Sequence, residues 1–147
     1  MTLNQITVPA ADIPAAIAFY KTLGLRLIVE SPHYARFELP QGESTFSVHK
    51  IVGTNVGETS AEETSARFKT SPKLKTTIYF EIENLDEYVA DLQQKGIVFT
   101  ELPNDKPWLW REAHLCDLDG NHLILFWAGE NRKNPPWRVF LNTKEQR

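Results

Sequence analysis

The sequence contains the same unit twice. The two copies align at a constant offset of 72 residues at three matched positions, Gln5 with Thr77, Asp12 with Asn84, and Gly24 with Gly96. In both copies, alternating apolar residues come before a helical run of apolar residues, and a glycine follows that run. An internal repeat constrains the fold strongly, because each copy is expected to form the same arrangement of helices and strands.

Each copy predicts a βαβββ module. Asp12 and Asn84 are predicted helix N-caps, the latter with Glu87 in a capping-box pattern, and Gly24 and Gly96 suit the helix ends. Alternation of apolar residues predicts the strands. Module one covers 3–52, with strands at 3–9, 26–30, 34–39 and 44–50. Module two covers 74–128, with strands at 74–82, 97–102, 109–116 and 121–127. The polar segment 53–73 is predicted to be a linker in which 61–68 could form a short helix, and the tail 129–147 is predicted to be irregular.

Composition excludes several classes of function. The 147 residues carry a net charge of −3, so nothing indicates a nucleic acid or a membrane surface as partner. No apolar run is long enough to span a membrane, and the cytoplasm is the predicted location. Cys116 is the single cysteine, which excludes an internal disulfide and a zinc site built on paired cysteines. We expect its thiol to be buried and inert.

Two motifs resemble the vicinal oxygen chelate superfamily, which includes glyoxalase I, extradiol dioxygenases and bleomycin-resistance proteins. They are the helix pattern of Asp12 with Phe19 and Tyr20, and the turn Asp117-Leu118-Asp119-Gly120-Asn121. The resemblance covers about residues 3–128. It implies an α+β fold, with 1–147 as a single domain whose tandem βαβββ modules form a cup-shaped, eight-stranded mixed sheet with the helices outside. It also implies a homodimer.

The resemblance further implies where a metal would bind. In metal-using members, the ligands come from the first and last strands of each module, positions that correspond here to Gln5, Ser47, Thr77 and Ile124. Stable binding of a divalent ion in the octahedral sites of this superfamily needs imidazole or carboxylate ligands. None of the four residues is either, and only Gln5 permits metal, since some glyoxalase I enzymes have a glutamine at that position. We therefore predict no metal and no cofactor. A relocated metal site, built from histidines and from Glu81 or Glu112, stays open as an alternative.

Strand alternation predicts which side chains face the cleft. Apolar residues such as Phe46, Val48 and Leu123 should face the helices, so residues of opposite parity should face the cleft. Arg111 is an exception on the apolar side. The predicted ligand-binding residues are Gln5, Ser47, His49, Thr77, Tyr79, Glu81, Trp110, Glu112, His114, His122, Ile124 and Phe126, and Tyr34 and Arg36 share their parity.

A cleft with aromatic, acidic, basic and imidazole groups suits a small organic molecule. The favoured interpretation is therefore a glyoxalase/bleomycin-resistance-like protein that binds such a molecule without the divalent metal of the family. The alternative is an enzyme of the lyase, isomerase or dioxygenase class with a non-standard metal site or His/Glu acid–base chemistry. No catalytic residue is assigned. A third possibility is a partner-binding domain that uses the linker or the tail, and the cleft aromatics could also serve packing alone.

Overall fold

The computed structural model describes residues 1–51 and 76–139 and confirms the α+β fold with two βαβββ modules. The predicted linker, its helix at 61–68 and the end of the tail lie outside the described residues. In module one the elements are β1 (Gln5–Ala10), α1 (Ile13–Leu23), β2 (Arg26–Ser31), β3 (Tyr34–Glu38) and β4 (Thr45–Lys50). In module two they are β5 (Thr77–Glu81), α2 (Leu85–Gln94), β6 (Glu101–Asp105), β7 (Arg111–Cys116) and β8 (His122–Trp127), followed by a 3₁₀ turn at Gly129–Arg132.

Each module forms one four-stranded mixed sheet. The strand orders are β1-β4-β3-β2 and β5-β8-β7-β6, so the same topology occurs twice. In each sheet the first and last strands of the module pair in parallel, and the other pairs are antiparallel. None of the helices in 1–51 and 76–139 is long and apolar enough to cross a membrane.

The helix ends follow the sequence in both modules, with Asn84 as the N-cap of α2 and Gly96 just after its end with a φ of 91°, and only the capping hydrogen bond of module two departs from it. The Asp12 carboxylate accepts a 3.0 Å hydrogen bond from the Ala15 amide, and Gly24 ends α1 with a φ of 116°. Asn84 makes no side-chain capping hydrogen bond, so the predicted capping box is wrong. Two acidic residues in the first turn, Asp86 and Glu87, instead complement the positive end of the α2 dipole.

The predicted strand 97–102 is wrong in its position, because β6 begins four residues later, at Glu101. The Ile97 amide still donates to the Leu92 carbonyl at 3.0 Å, which keeps this residue tied to the end of α2. Ile97 and Phe99 pack against the core while Val98 is exposed, and this alternation resembles a strand without forming one. The ladder with β7 also shifts register between Glu101 and Asn104, around Pro103, which has no amide hydrogen to donate.

Arg111 lies on the helix side of β7 for a structural reason. Its guanidinium donates to both carboxylate oxygens of Asp86, at 2.9 and 2.7 Å, and to Asp105 at 3.0 Å. These hydrogen bonds tie β7 to the start of α2, and they hold the pKa of the Asp86 carboxyl below its ordinary value. β7 begins at Arg111 rather than at the predicted Leu109, because Leu109 has a φ of 67° in the turn that precedes the strand.

The two modules share one hydrophobic core on their helix sides. The Phe46 and Phe80 rings, one from each module, have centroids 5.8 Å apart. The Tyr88 hydroxyl on α2 donates to the Leu23 carbonyl at 2.6 Å. The two sequence motifs that resemble the superfamily also meet at this interface between the modules, because the buried Tyr20 hydroxyl of the helix motif donates to Asp117 of the turn motif at 2.6 Å. Burial and the Asp117 charge raise the pKa of Tyr20 far above its ordinary value.

Candidate functional site

Each sheet has an apolar side toward the helices and an opposite side that carries the predicted cleft residues. Phe37, Val48 and Leu123 on the helix side are completely buried. We call the opposite sides the module-one face and the module-two face. Strand register places Gln5, Thr7, Tyr34, Arg36, Thr45, Ser47 and His49 on the first. The second carries Thr77, Tyr79, Glu81, Glu112, His114, Cys116, His122, Ile124 and Phe126, and the Trp110 ring stacks on it.

A continuous hydrogen-bonded chain crosses the module-two face. The Thr77 hydroxyl lies 3.1 Å from Nδ1 of His122, and Nε2 of His122 lies 3.1 Å from Nδ1 of His114. Nε2 of His114 lies 2.8 Å from one Glu112 oxygen, and the other accepts from the Trp108 indole at 2.7 Å. Glu112 is only 1% exposed, so a carboxylate at the end of the chain is held away from water.

When the two imidazole rings are neutral, the buried Glu112 carboxylate determines which group donates and which accepts in each hydrogen bond of this chain. Glu112 can only accept, so His114 carries its proton on Nε2 and offers Nδ1 as an acceptor. His122 must then donate from Nε2, which leaves its Nδ1 to accept the proton of the Thr77 hydroxyl. The arrangement can pass a proton between the Thr77 end and the buried carboxylate.

Three aromatic rings lie next to the chain and form what we call the aromatic triad. Trp110 and Phe126 are stacked with centroids 4.7 Å apart. Tyr79 stands edge-on to both, at 5.8 Å from Trp110 and 5.5 Å from Phe126. Tyr79 is 47% exposed, so one ring of the triad remains available to solvent. Burial and the Glu112 charge raise the pKa of Tyr79, which keeps its hydroxyl protonated as a donor.

The module-one face is polar and centred on Arg36. Nε of Arg36 donates to the Tyr34 hydroxyl at 2.9 Å, and the guanidinium lies 5.4 Å from the centroid of the Tyr34 ring. The Ser47 hydroxyl, which is fully buried, lies 2.5 Å from the Thr7 hydroxyl. Partial burial acts to raise the pKa of Tyr34, but Ser47 and Arg36 favour the phenolate and hold that pKa below its ordinary value.

The four positions that the resemblance assigns to metal ligands do not fit a divalent ion. Thr45 donates to the Gln5 amide oxygen at 2.8 Å, and the Ser47 and Thr77 hydroxyls are hydrogen-bonded to Thr7 and His122. Ile124 is buried in an apolar patch with Phe126 and cannot coordinate a metal. Nor do three His, Cys, Asp or Glu side chains within 1–51 and 76–139 have an arrangement that could hold a metal ion.

The three cleft histidines do not come together as one group. His114 and His122 share the module-two face, with ring centroids 5.1 Å apart. His49 lies on the module-one face, where its ring contacts the Tyr34 ring at 6.4 Å. Glu81 contacts neither the His114–His122 pair nor His49, and it forms an ion pair with Arg132 at 3.5 Å.

Two features of the module-two face were missed or misjudged in the sequence. Cys116 is exposed, so its predicted burial is wrong; its parity with His114 and its pairing opposite His122 place it at the edge of this face. The 3₁₀ turn contributes to the face through Arg132 and through the Asn131 carbonyl, which accepts from the Trp110 indole at 3.4 Å. The position of Cys116 follows from strand alternation. In contrast, no sequence pattern in the tail indicates that its 3₁₀ turn contacts β5 through Arg132.

Comparisons with known proteins agree with this architecture. The family model described as "Glyoxalase/Bleomycin resistance protein/Dioxygenase superfamily" matches residues 2–125. The uncharacterized protein YraH of Bacillus subtilis (strain 168) is 28% identical over 130 residues, which are 86% of this chain and 98% of YraH.

Two solved structures have the same fold. One is a glyoxalase/bleomycin resistance protein/dioxygenase from Nocardioides, with a TM-score of 0.65 and 21% identity, covering 95% of this chain and 90% of that chain. The other is a bleomycin resistance determinant encoded on the transposon Tn5, with a TM-score of 0.63 and 17% identity, covering 86% of this chain and 98% of that chain.

Proposed function

Because the chain belongs to the glyoxalase/bleomycin resistance protein/dioxygenase superfamily, we propose that it binds a small organic molecule with an aromatic part, without the divalent metal of the family. The aromatic triad is the observation that carries this proposal. A half-exposed Tyr79 beside the stacked pair of Trp110 and Phe126 offers an apolar surface. Polar groups of the hydrogen-bonded chain lie next to it and could orient a ligand.

The poor fit of the metal positions supports the metal-free part of the proposal. Gln5, Ser47 and Thr77 are engaged in hydrogen bonds with neighbouring side chains, and Ile124 offers no donor atom. Elemental analysis of the protein as purified tests this part. Stoichiometric divalent metal that survives dialysis and is lost when His114 and His122 are replaced would overturn it.

A titration with naphthalene-1-methanol, a neutral aromatic probe, tests the binding role. We expect saturable binding in a calorimetric titration and at least a severalfold loss of affinity in Trp110→Leu or Tyr79→Ala. Trp137→Ala is the matched control, because Trp137 is 57% exposed in the tail and makes no ring contact with the triad. No saturable binding, or an equal loss in the Trp137 variant, would contradict the proposal.

We further propose a homodimer in the cytoplasm, with no nucleic-acid or membrane partner, in which the module-one face of one copy covers the module-two face of the other. The modules of one chain are joined through their helix sides by contacts such as Tyr20 with Asp117 and Tyr88 with Leu23, which supports a cleft completed by a second chain. Sedimentation equilibrium tests this: a monomer at micromolar concentrations would contradict it.

A second candidate function is an enzyme with acid–base chemistry. The hydrogen-bonded chain that links the Thr77 hydroxyl to the Glu112 carboxylate favours it. A directed path of neutral imidazoles ending on a buried carboxylate can accept a proton from a bound substrate. Deuterium exchange at the carbon next to the carbonyl of small ketones and 2-oxo acids, followed by NMR in D2O, tests this candidate. We expect exchange that is lost in His122→Ala and kept in His33→Ala, whose imidazole lies in an exposed turn. Absence of exchange in every compound would count against it.

A further inference from the structure

Arg36 is a cation on the module-one face without an acidic partner among the described residues. A guanidinium has five N–H donors, and Arg36 uses one of them, on Nε, to reach the Tyr34 hydroxyl at 2.9 Å. No carboxylate within 1–51 and 76–139 forms an ion pair with it. The nearest acidic residue of the same parity on β3, Glu38, is instead paired with Arg26 at 2.8 Å. Within this part of the chain, the charge of Arg36 is therefore uncompensated.

The surroundings of Arg36 hold it in place for a ligand. The side chain is partly buried on the central part of the sheet, opposite the buried Ser47 in the register of β3 and β4. The Tyr34 ring supports the guanidinium from one side at 5.4 Å, which restricts its rotation. A pre-oriented guanidinium with free donors matches the paired oxygens of a carboxylate or phosphate.

The neutral groups around Arg36 also favour an anion. The exposed Thr7 hydroxyl and the partly buried Tyr34 hydroxyl can each donate a hydrogen bond, and the exposed Gln5 adds an amide. Ser47 is completely buried, so it supports Thr7 through their hydrogen bond. His49 is exposed beside Tyr34 and adds another possible donor. We infer that the module-one face is an anion subsite, in which Arg36 binds the carboxylate or phosphate group of the ligand. This inference rests on the proposed binding role and on the proposed dimer, in which the module-one face of one copy covers the aromatic triad of the other. It specifies the chemical class of the ligand.

Three probes with the same ring system separate this inference from the proposed function. Naphthalene-1-methanol is neutral, 1-naphthoate carries a carboxylate, and 1-naphthyl phosphate carries a phosphate. Binding of the neutral probe reports on the aromatic triad alone, and the preference for either anion reports on Arg36. We expect at least one of the two anions to bind about tenfold more tightly than the neutral probe, as a charge-assisted hydrogen-bonded pair would give.

Arg36→Gln should remove the preference for the anion and leave the affinity for naphthalene-1-methanol unchanged. Arg36→Lys keeps the positive charge but loses the pair of parallel N–H donors of the guanidinium, so it should retain part of the preference for the anion. Arg26→Gln is the matched control: it removes the same charge from the same sheet, but Arg26 is already neutralised by Glu38 and is exposed. We expect less than about a twofold effect from it.

Two results would overturn the inference. One is equal or weaker binding of both anions relative to naphthalene-1-methanol in the wild-type protein, which would leave the proposed binding role intact. The other is an equal loss of anion affinity in Arg26→Gln and Arg36→Gln, which would reveal a general effect of net charge. Circular dichroism of each variant verifies that the fold is retained.

Discussion

The Tyr20 hydroxyl on α1 donates a 2.6 Å hydrogen bond to the Asp117 carboxylate at the start of the β7–β8 turn. Asp117 also accepts from the backbone amides of Asp119 and Asn121, at 2.9 and 2.8 Å, and so organises the turn itself. The helix motif of module one and the turn motif of module two are therefore parts of one buried contact. The residues of these two motifs hold the modules together, and the faces proposed to bind a ligand lie elsewhere.

Replacing Tyr20 with phenylalanine should destabilise the protein. Loss of a buried hydrogen bond to a carboxylate should lower the free energy of unfolding by about 2 kcal/mol. Tyr79→Phe is the control, because the Tyr79 ring is half-exposed and the change should stay within about 0.5 kcal/mol. Urea denaturation of both variants measures the difference, and equal effects would contradict the role of the Tyr20 contact.

The stabilisation that Tyr20 gives relative to the Tyr20→Phe variant should depend on pH. Burial and Asp117 raise the pKa of Tyr20 in the folded protein above its ordinary value of 10.0. Its stabilising contribution is then fully present below pH 10 and is lost at higher pH, because the unfolded chain releases the proton first. The stability gap between the wild type and Tyr20→Phe should shrink by about 1.4 kcal/mol per pH unit above that point. A gap that stays constant into the alkaline range would contradict this.

Gly24→Ala should be more destabilising than Gly42→Ala. Both glycines have positive φ, 116° and 83°, so both substitutions strain the backbone by about 1 kcal/mol. At Gly24 a Cβ would also lie 2.2 Å from the Tyr88 hydroxyl, whereas a Cβ at Gly42 meets no atom of residues 1–51 and 76–139 within 4 Å. Displacing Tyr88 breaks its hydrogen bond to Leu23, which adds about 1 kcal/mol.

A double-mutant cycle isolates the contact between Gly24 and Tyr88. In a Tyr88→Phe background the clashing hydroxyl is absent, so Gly24→Ala should cost only about 1 kcal/mol, like Gly42→Ala. Thermal or urea unfolding of the four variants gives the coupling energy. A coupling energy near zero would show that backbone strain alone explains the effect.

Leu109→Gly should stabilise the protein, contrary to the usual effect of glycine. Leu109 has a φ of 67° and is exposed, so its side chain gains little from burial while its backbone is strained. We expect an increase of about 0.5 kcal/mol in the free energy of unfolding, since glycine removes the strain but adds freedom to the unfolded chain. Leu118→Gly, at another exposed leucine without positive φ, should lower stability instead.

Glu112→Gln should move the ring proton from Nε2 to Nδ1 in both His114 and His122. In the wild type, the carboxylate requires Nε2–H on His114 and, through it, on His122. In the variant, the new side-chain amide keeps its oxygen toward the Trp108 indole and donates from its nitrogen to Nε2 of His114, so both rings then carry the proton on Nδ1. Long-range ¹⁵N–¹H NMR at about pH 8.5, where free imidazole is neutral, distinguishes the tautomers. Unchanged tautomers in the variant would contradict the directed chain, and His33 serves as the internal control.

Much of the fold follows from alternation and the repeat. Phe37, Val48 and Leu123 pack toward the helices, as their parity predicts, because a strand in a half-buried sheet presents every second residue to the core. The start of β6 could not be predicted in this way. Ile97 and Phe99 alternate like strand residues, but a backbone hydrogen bond to Leu92 keeps Ile97 with the helix.

The candidate site was only partly accessible from sequence. Alternation brings His114 and His122 to one face, but their contact depends on the register of β7 and β8, which the turn after Asp117 sets. The separation of His49 from these two depends on how the modules join, and no residue spacing encodes that. The exposure of Cys116 likewise follows from its position at the edge of the face rather than from its residue type.

The strand order has a consequence for synthesis of the chain. β1 has β4 as its neighbour in the sheet, so the first strand made waits for the last strand of its module before its backbone groups are paired. Module one can complete its sheet only once Lys50 has left the ribosome, and the Tyr20 hydroxyl then still lacks Asp117. The buried hydrogen bond from α1 to module two can therefore form only after the β7–β8 turn has emerged.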